Sequence, residues 1–397
     1  MEKIAHIKRS DDSNVAIISF FSGAGFLDLG FEKAGFEIAY ANEIYKPFVE
    51  AYKFSRKKMK ILEPEYGFHE KSIEEFLSGQ DKSDLSSIIS KIRKKGKIVG
   101  FIGGPPCPDF SVGGKNRGKT GENGRLSGTY IEIINQQKPD FFIFENVRGL
   151  WRTARHREFY DELKSKLSRK GYILHDKLVN AISYGAPQDR DRIILFGIHK
   201  NILSNANSGA DFPWNKYATF PERTAFDFSW PETEKFKKGS KKSIKEGIPI
   251  ELTVEHWFEK NDVLNHPNAN HCFKPKAGLE KFKTIPEGDD SKKSYKRLHR
   301  WRYSPTACYG NNEVHLHPYL ERRISAAEAL AIQSLPKEFE LPETMTYTNM
   351  FKTIGNGVPF LAANALAKSV KDFLNEVKNE KDHSFEYSER YRQTAAK

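Results

Sequence analysis

Cysteine is scarce in this chain. Cys107, Cys272 and Cys308 are the only three in 397 residues, too few and too far apart for a disulfide framework, and no CxxC pair is present to hold a metal. A reducing interior follows, with Cys107 a free thiol. There is no run of 18 or more apolar residues, and Lys3, His6, Lys8 and Arg9 interrupt the start, so neither a membrane span nor a secretory leader is expected. The expected setting is cytoplasmic. A surplus of negative charge is also missing: Lys and Arg number 64 against 52 Asp and Glu, a net charge of +12, which makes a polyanion such as nucleic acid a natural partner. Ribosomal proteins and many solvated surfaces share that bias.

What is present reads as strands alternating with helices. Residues 15–21 (VAIISFF) form an apolar, β-branched run, followed by the turn Ser22-Gly23-Ala24-Gly25 and a helical pattern through Phe26, Leu29 and Ala34. Further strands are expected at 36–40, 97–102, 140–144 and 192–198. This alternation predicts an α/β fold with a doubly wound, mostly parallel sheet. From residue 199 the pattern turns irregular, with scattered aromatics and prolines, and a second, smaller domain is expected over 199–344. The catalytic unit is then 1–198 plus 345–397. Within 323–335, Ser325 and Glu328 form a capping box at a helix start, and residues 353–359 form a tight turn before a long amphipathic helix.

The chemistry centres on Gly103-Gly104-Pro105-Pro106-Cys107-Pro108-Asp109, which fixes a thiol just beyond a buried strand, where open α/β sheets collect reactive groups. A buried structural cysteine is the alternative. Glu145 follows the strand FFIF (141–144), so its carboxyl emerges at the same sheet edge. A thiolate beside a carboxyl in an apolar setting is a nucleophile and acid pair, since burial raises a carboxyl's pKa. QDRDR (188–192) precedes another buried strand, and Arg190 and Arg192 are candidates to orient a base or Glu145; an arginine and aspartate ladder is the alternative. The glycine turn lacks a full GxGxxG and suits dinucleotides, S-adenosylmethionine or no ligand. Glu43, near the end of the second strand, is placed for a ribose diol, or is a surface carboxylate.

In this order the motifs resemble the DNA (cytosine-5)-methyltransferase family: FSGAGF (21–26), PPCPDFS (105–111), ENV (145–147), QDRDR (188–192), AIQSLP (331–336) and GNGVP (355–359). The likeness runs from Val15 to about Ala367. It implies a Rossmann-like S-adenosylmethionine-dependent catalytic domain, S-adenosylhomocysteine as product, no metal, and double-stranded DNA as partner. Cys107, Glu145, Arg190 and Arg192 become the catalytic set. The cofactor set becomes Phe21, Gly23, Ala24, Gly25, Glu43, Ile44, Ser72, Ile73, Pro106, Leu126, Asn356 and Val358. Pro108 and Phe26 stand where the family often has glutamine and glycine. Ser72 stands where an acid commonly accepts the adenine amino group, with Glu70 or Glu74 as substitutes.

Flipping a cytosine out of a duplex requires loops that close behind it. Residues 113–125 carry five glycines and four basic side chains, a lid composition, and Ser111, Lys115 and Arg117 are the expected DNA contacts there. Residues 292–302 (KKSYKRLHRWR) mix cations with aromatics, and Arg297, Arg300 and Arg302 are the expected readers or phosphate contacts. Six lysines in 235–245 suit DNA or a solvated loop equally. The resemblance implies the monomeric modification enzyme of a restriction-modification system, whose cognate endonuclease need not bind it. The competing readings are an RNA cytosine methyltransferase, a catalytically silent DNA-binding relative, and a nicotinamide oxidoreductase, which would leave the Cys-Glu pair unexplained.

Overall fold

The computed structural model describes residues 13–106, 122–203, 210–275, 278–309 and 313–394. Cys107, Ser111, Lys115 and Arg117 lie outside these described residues. Seven strands, β1 (Val15–Phe20), β2 (Glu37–Asn42), β3 (Phe68–His69), β4 (Ile98–Gly103), β5 (Phe141–Val147), β6 (Tyr172–Asn180) and β7 (Asp191–His199), form one sheet in the order β3-β2-β1-β4-β5-β7-β6. The first five pair in parallel, whereas β7 runs antiparallel to both neighbours. The sheet is therefore mostly parallel, as the alternating pattern predicts. β6 escaped that pattern because YILHDKLVN is half polar. As an edge strand it is mostly half-buried, so both kinds of residue are tolerated.

The helices among the described residues are α1 (Phe26–Lys33), α2 (Lys46–Lys58), α3 (Gly79–Lys94), α4 (Glu122–Gln137), α5 (Arg148–Arg152), α6 (Ala154–Arg169), α7 (Val254–Lys260), α8 (Leu279–Thr284), α9 (Ala326–Ile332), α10 (Tyr347–Asn356) and α11 (Phe360–Thr394). None is long and apolar enough to cross a membrane. Helices α3 to α6 cover one face of the sheet, burying Phe20, Phe101, Tyr130 and Phe144. On the other face α1 and α11 enclose Ile17, Ile143 and Phe196, joined by Phe212, whose ring lies 4.6 Å from that of Phe196. Each such buried aromatic contributes roughly 1.5–3 kcal/mol by its removal from water.

A third core joins the sheet domain to the irregular region. Phe26, Phe48 and Ala51 from α1 and α2 pack with Trp257, Phe258, Leu330, Phe339 and Phe351. Ser325 caps α9 as expected: its hydroxyl accepts from Glu328 N at 3.2 Å, while Ser325 N donates to the Glu328 carboxylate at 2.7 Å. The turn expected at 353–359 is shorter than its sequence, because α10 continues to Asn356 and leaves only Gly357 to Pro359 between the two helices.

Candidate active site

The carboxyl ends of β1, β2, β4 and β5 share one sheet edge, because parallel pairing brings like ends together. Antiparallel β7 delivers its beginning to that same edge, with Val147 opposite Arg192 in the register. Arg192 Nε reaches Glu145 Oε1 at 2.9 Å, with both side chains largely buried. Glu145 also depends on Gly104: a Cβ there would lie 2.6 Å from Glu145 Oε2. Asn146 Nδ2 donates to Pro105 O at 3.5 Å, linking the ends of β5 and β4 directly before Pro106 and Cys107.

Arg190 does not share the role expected of it. It is 1% exposed, and its guanidinium donates to Ala307 O at 3.1 Å and Gly355 O at 2.7 Å. Burial, together with the neighbouring Arg192, pulls it down to about 9. It holds backbone, and Arg192 alone of the two meets Glu145.

The loop after β1 is shaped for close approach. Phe21 adopts φ +52°, a left-handed conformation that non-glycine residues hold only when the surroundings enforce it. Gly23 is left-handed as well, at φ +57°, and a Cβ on it would meet no atom within 4 Å. Ala24 is buried beside it; at Gly25 a Cβ would strike the Tyr52 ring at 2.2 Å. Glu43 accepts from Gly23 N at 3.0 Å and from Tyr45 N at 2.8 Å. Burial raises its carboxyl above the ordinary value, against the backbone N–H groups that favour the charged form. Ile44, next in sequence, stands 64% exposed, an apolar platform facing open space.

Ser72 N-caps the short 3-10 turn Ile73–Leu77: its hydroxyl accepts from Glu74 N at 3.3 Å, and its own N–H donates to Glu75 at 2.8 Å. Glu74 is engaged by Arg125 at 2.5 Å, which brings the start of α4 beside Ile73 and half-buried Leu126. Asn356, the last residue of α10, is exposed, and Val358, two residues beyond it, is half-buried.

Two expected DNA contacts are corrected. Arg297 is fully buried and donates to the carbonyls of Phe282 (2.5 Å), Ile285 (2.8 Å), His317 (2.6 Å) and Leu320 (3.2 Å). Arg300, 3% exposed, makes a bidentate pair with Glu287 at 2.8 and 2.9 Å and lies over Tyr319. Of the aromatics interleaved with these cations, Tyr295 packs edge-on against Phe282 and Trp301 Nε1 donates to Lys242 O at 3.1 Å. Arg302 is half-buried. Sequence reasoning missed Arg148 and Arg223, which both reach Asp191 beside Arg192. Their basic character was visible; only the folded chain brings them together.

Comparison with known proteins gives the family and the fold. The C-5 cytosine-specific DNA methylase family matches residues 15–372. Type II methyltransferase M.NmeDI of Neisseria meningitidis serogroup C is 59% identical over 92% of this chain and 86% of its own length. Type II methyltransferase M.FnuDI of Fusobacterium nucleatum is 30% identical over 91% of this chain and 95% of its own. The crystal structure of the S. pombe Dnmt2 methyltransferase, 14% identical, shares the fold with a TM-score of 0.57 over 91% of this chain and 99% of that one. The chain is a member of the C-5 cytosine-specific DNA methylase family, a DNA (cytosine-5)-methyltransferase.

Proposed function

We propose that the protein methylates C5 of a flipped-out cytosine in a specific duplex DNA sequence, with Cys107 as the covalent nucleophile, as the modification enzyme of a restriction-modification system. The observation that carries the residue roles is the Glu145–Arg192 pair at the sheet edge where β4 delivers Pro105 and Pro106. Residues 199–344 serve as the target-recognition region, and the enzyme acts as a monomer in the cytoplasm.

C5 of cytosine is too weak a nucleophile to attack a methyl donor unaided, so covalent activation is required. The Cys107 thiolate adds to C6 while Glu145 hydrogen-bonds or protonates N3, which places electron density on C5. Arg192 holds the Glu145 carboxyl in place for N3. After methylation, transfer of the C5 proton to water, expulsion of the thiolate and return of any N3 proton to Glu145 restore the aromatic ring. The base must leave the duplex stack for any of this, at a cost of a few kcal/mol.

S-adenosylmethionine supplies the methyl group when bound. The residues around the β1 loop fit it: the space beyond Gly23 is open, Glu43 offers carboxylate oxygens for a ribose diol, and exposed Ile44 gives the adenine an apolar face. Phe21, Ala24, Gly25, Ser72, Ile73, Pro106, Leu126, Asn356 and Val358 complete the proposed cofactor set. The Ser72 hydroxyl accepts from Glu74 N and keeps a second lone pair for the adenine amino group.

Incubation with labelled S-adenosylmethionine and mixed-sequence duplex, followed by digestion, is expected to give label in 5-methylcytosine alone; label in adenine, N4-methylcytosine or RNA contradicts the proposal. In the same assay Cys107→Ser abolishes turnover and keeps duplex binding, whereas substantial activity in that variant rejects the nucleophile. Gly104→Ala, by displacing the Glu145 carboxyl, is expected to lower kcat by about 100-fold, the scale of a lost acid catalyst, with the KM for S-adenosylmethionine unchanged; wild-type kcat would show that the carboxyl's position is immaterial.

Glu43 gives a pH signature. Its folded pKa is raised, so protonation begins at a higher pH than for an ordinary carboxylate, and the protonated form offers one acceptor fewer to a diol. Calorimetric titration with S-adenosylhomocysteine is expected to show affinity falling as pH drops through that raised pKa, with Glu43→Gln weak and flat over the same range. A pH-independent wild type contradicts the assignment.

A further inference from the structure

Asp191 stands one residue before Arg192 and holds two cations from distant parts of the chain. Its Oδ2 meets Arg148 Nη1, the first residue of α5, at 2.9 Å, and its Oδ1 meets Arg223 Nη1 at 2.9 Å. Asn180 Nδ2, on β6, donates to Oδ1 at 2.8 Å. The aspartate side chain is only 7% exposed, while those of Arg148 and Arg223 are 45% and 51% exposed. Burial alone would raise the Asp191 carboxyl, but Asn180 and the two arginines outweigh it and hold it below the usual range. Asn180 Nδ2 also donates to Asp189 Oδ1 at 2.6 Å, so two carboxylates face the two arginines, whose half-exposed guanidiniums stand at the solvent side of the cluster.

The backbone at Arg223 is unusual. Glu222 and Arg223 adopt φ +53° and +69°, two consecutive non-glycine residues in the left-handed region. Such conformations cost about 1–3 kcal/mol each and persist only where the surroundings enforce them. The guanidinium also lies 4.4 Å over the Phe226 ring. An arginine that merely solvated the surface would need neither constraint, and an isolated half-exposed ion pair returns only about 0–1 kcal/mol. This conformation accompanies the contact of Arg223 with Asp191, which Arg148 shares.

We propose that Arg148 and Arg223, held apart by Asp191, form a two-arginine clamp for a DNA phosphodiester flanking the flipped cytosine. The proposal rests on the methyl-transfer reading and deepens it by naming where the substrate backbone is gripped. A base delivered to Glu145 carries its sugar and flanking phosphates past the rim of the cleft, and Asp191 adjoins Arg192 there. Guanidinium edges turned away from Asp191 present paired N–H donors that match two phosphate oxygens. Asp191 acts as a positioning residue: it touches no substrate and fixes the spacing of the arginines. Such a contact carries no sequence information; it sets register and orientation on the duplex.

The test is the salt dependence of duplex binding by the full chain, read by fluorescence anisotropy with S-adenosylhomocysteine present. Each phosphate contact contributes about 0.9 to the slope of log K against log salt. Because the two arginines share one phosphate, Arg223→Gln and Arg148→Gln are each expected to flatten the slope by part of that amount and the double variant by about all of it, with the KM for DNA raised several-fold and the KM for S-adenosylmethionine unchanged. Arg223→Lys, which keeps the charge, is expected to restore most of the slope. Because the two arginines lie on different segments, either variant reads the clamp if the other folds poorly. Wild-type slopes in both variants, alongside a wild type that methylates duplex DNA, overturn the clamp alone; a wild type that does not methylate duplex DNA overturns the methyl-transfer reading itself.

Discussion

One buried polar knot ties the catalytic edge to everything that must approach it. Gln188, wholly buried, donates to Gln333 Oε1 at 3.2 Å and Ile332 O at 3.4 Å, and its own oxygen accepts from Ala307 N at 3.1 Å. Arg190 adds the bonds to Ala307 and Gly355. Gln333 continues the chain of contacts through Ile354 O and Gly357 O, and its carbonyl accepts from Phe360 N at 2.9 Å. Segments more than 100 residues apart thus meet in one place. Leaving any one of these buried groups unpaired costs about 1–3 kcal/mol. The knot ties together the start of β7, the segments around Ala307 and Gln333, and the Gly355–Gly357 stretch.

The reversed direction of β7 gives that anchoring its chemical meaning. Were β7 parallel to β5, its amino-terminal residues would emerge at the opposite edge, far from Glu145. Running antiparallel, it places Arg192 opposite Val147 and within reach of the Glu145 carboxylate. Asp191 follows at the same rim with its two arginines. The edge combines an oriented carboxyl, an open glycine loop after β1, a carboxylate after β2 and two half-exposed arginines, a set that fits the proposed methyl transfer to an extruded base.

Much of this was legible in the sequence, for identifiable reasons. Apolar strands such as FFIF declare themselves because central parallel strands are buried on both faces, and the Ser325–Glu328 capping box is a local signal that tertiary contacts did not override. Glu145 and Arg192 were placed from position within motifs. Arg297 and Arg300 were misjudged because a cation with aromatic neighbours looks the same whether it faces DNA or satisfies buried carbonyls, and Arg190 because the QDRDR motif does not show which of its two arginines meets Glu145. The difference lies in long-range contacts, such as Arg300 with Glu287 and Arg190 with Gly355. The Asp191 clamp is illegible for the same reason: Arg223 carries no local motif, and only the fold sets it beside Arg148.

The interdependence of these parts is tested most directly at Arg190. Arg190→Met keeps an apolar stem of similar length and removes every donor to Ala307 O and Gly355 O. Denaturant unfolding is measured alongside equilibrium binding of S-adenosylhomocysteine and duplex DNA. The predicted result is a loss of about 3 kcal/mol of stability, the scale of a broken buried charged network, with both ligands bound more weakly. A variant with wild-type stability and wild-type affinity for both ligands, deficient in methyl transfer alone, would contradict the anchoring role and return Arg190 to direct contact with the base.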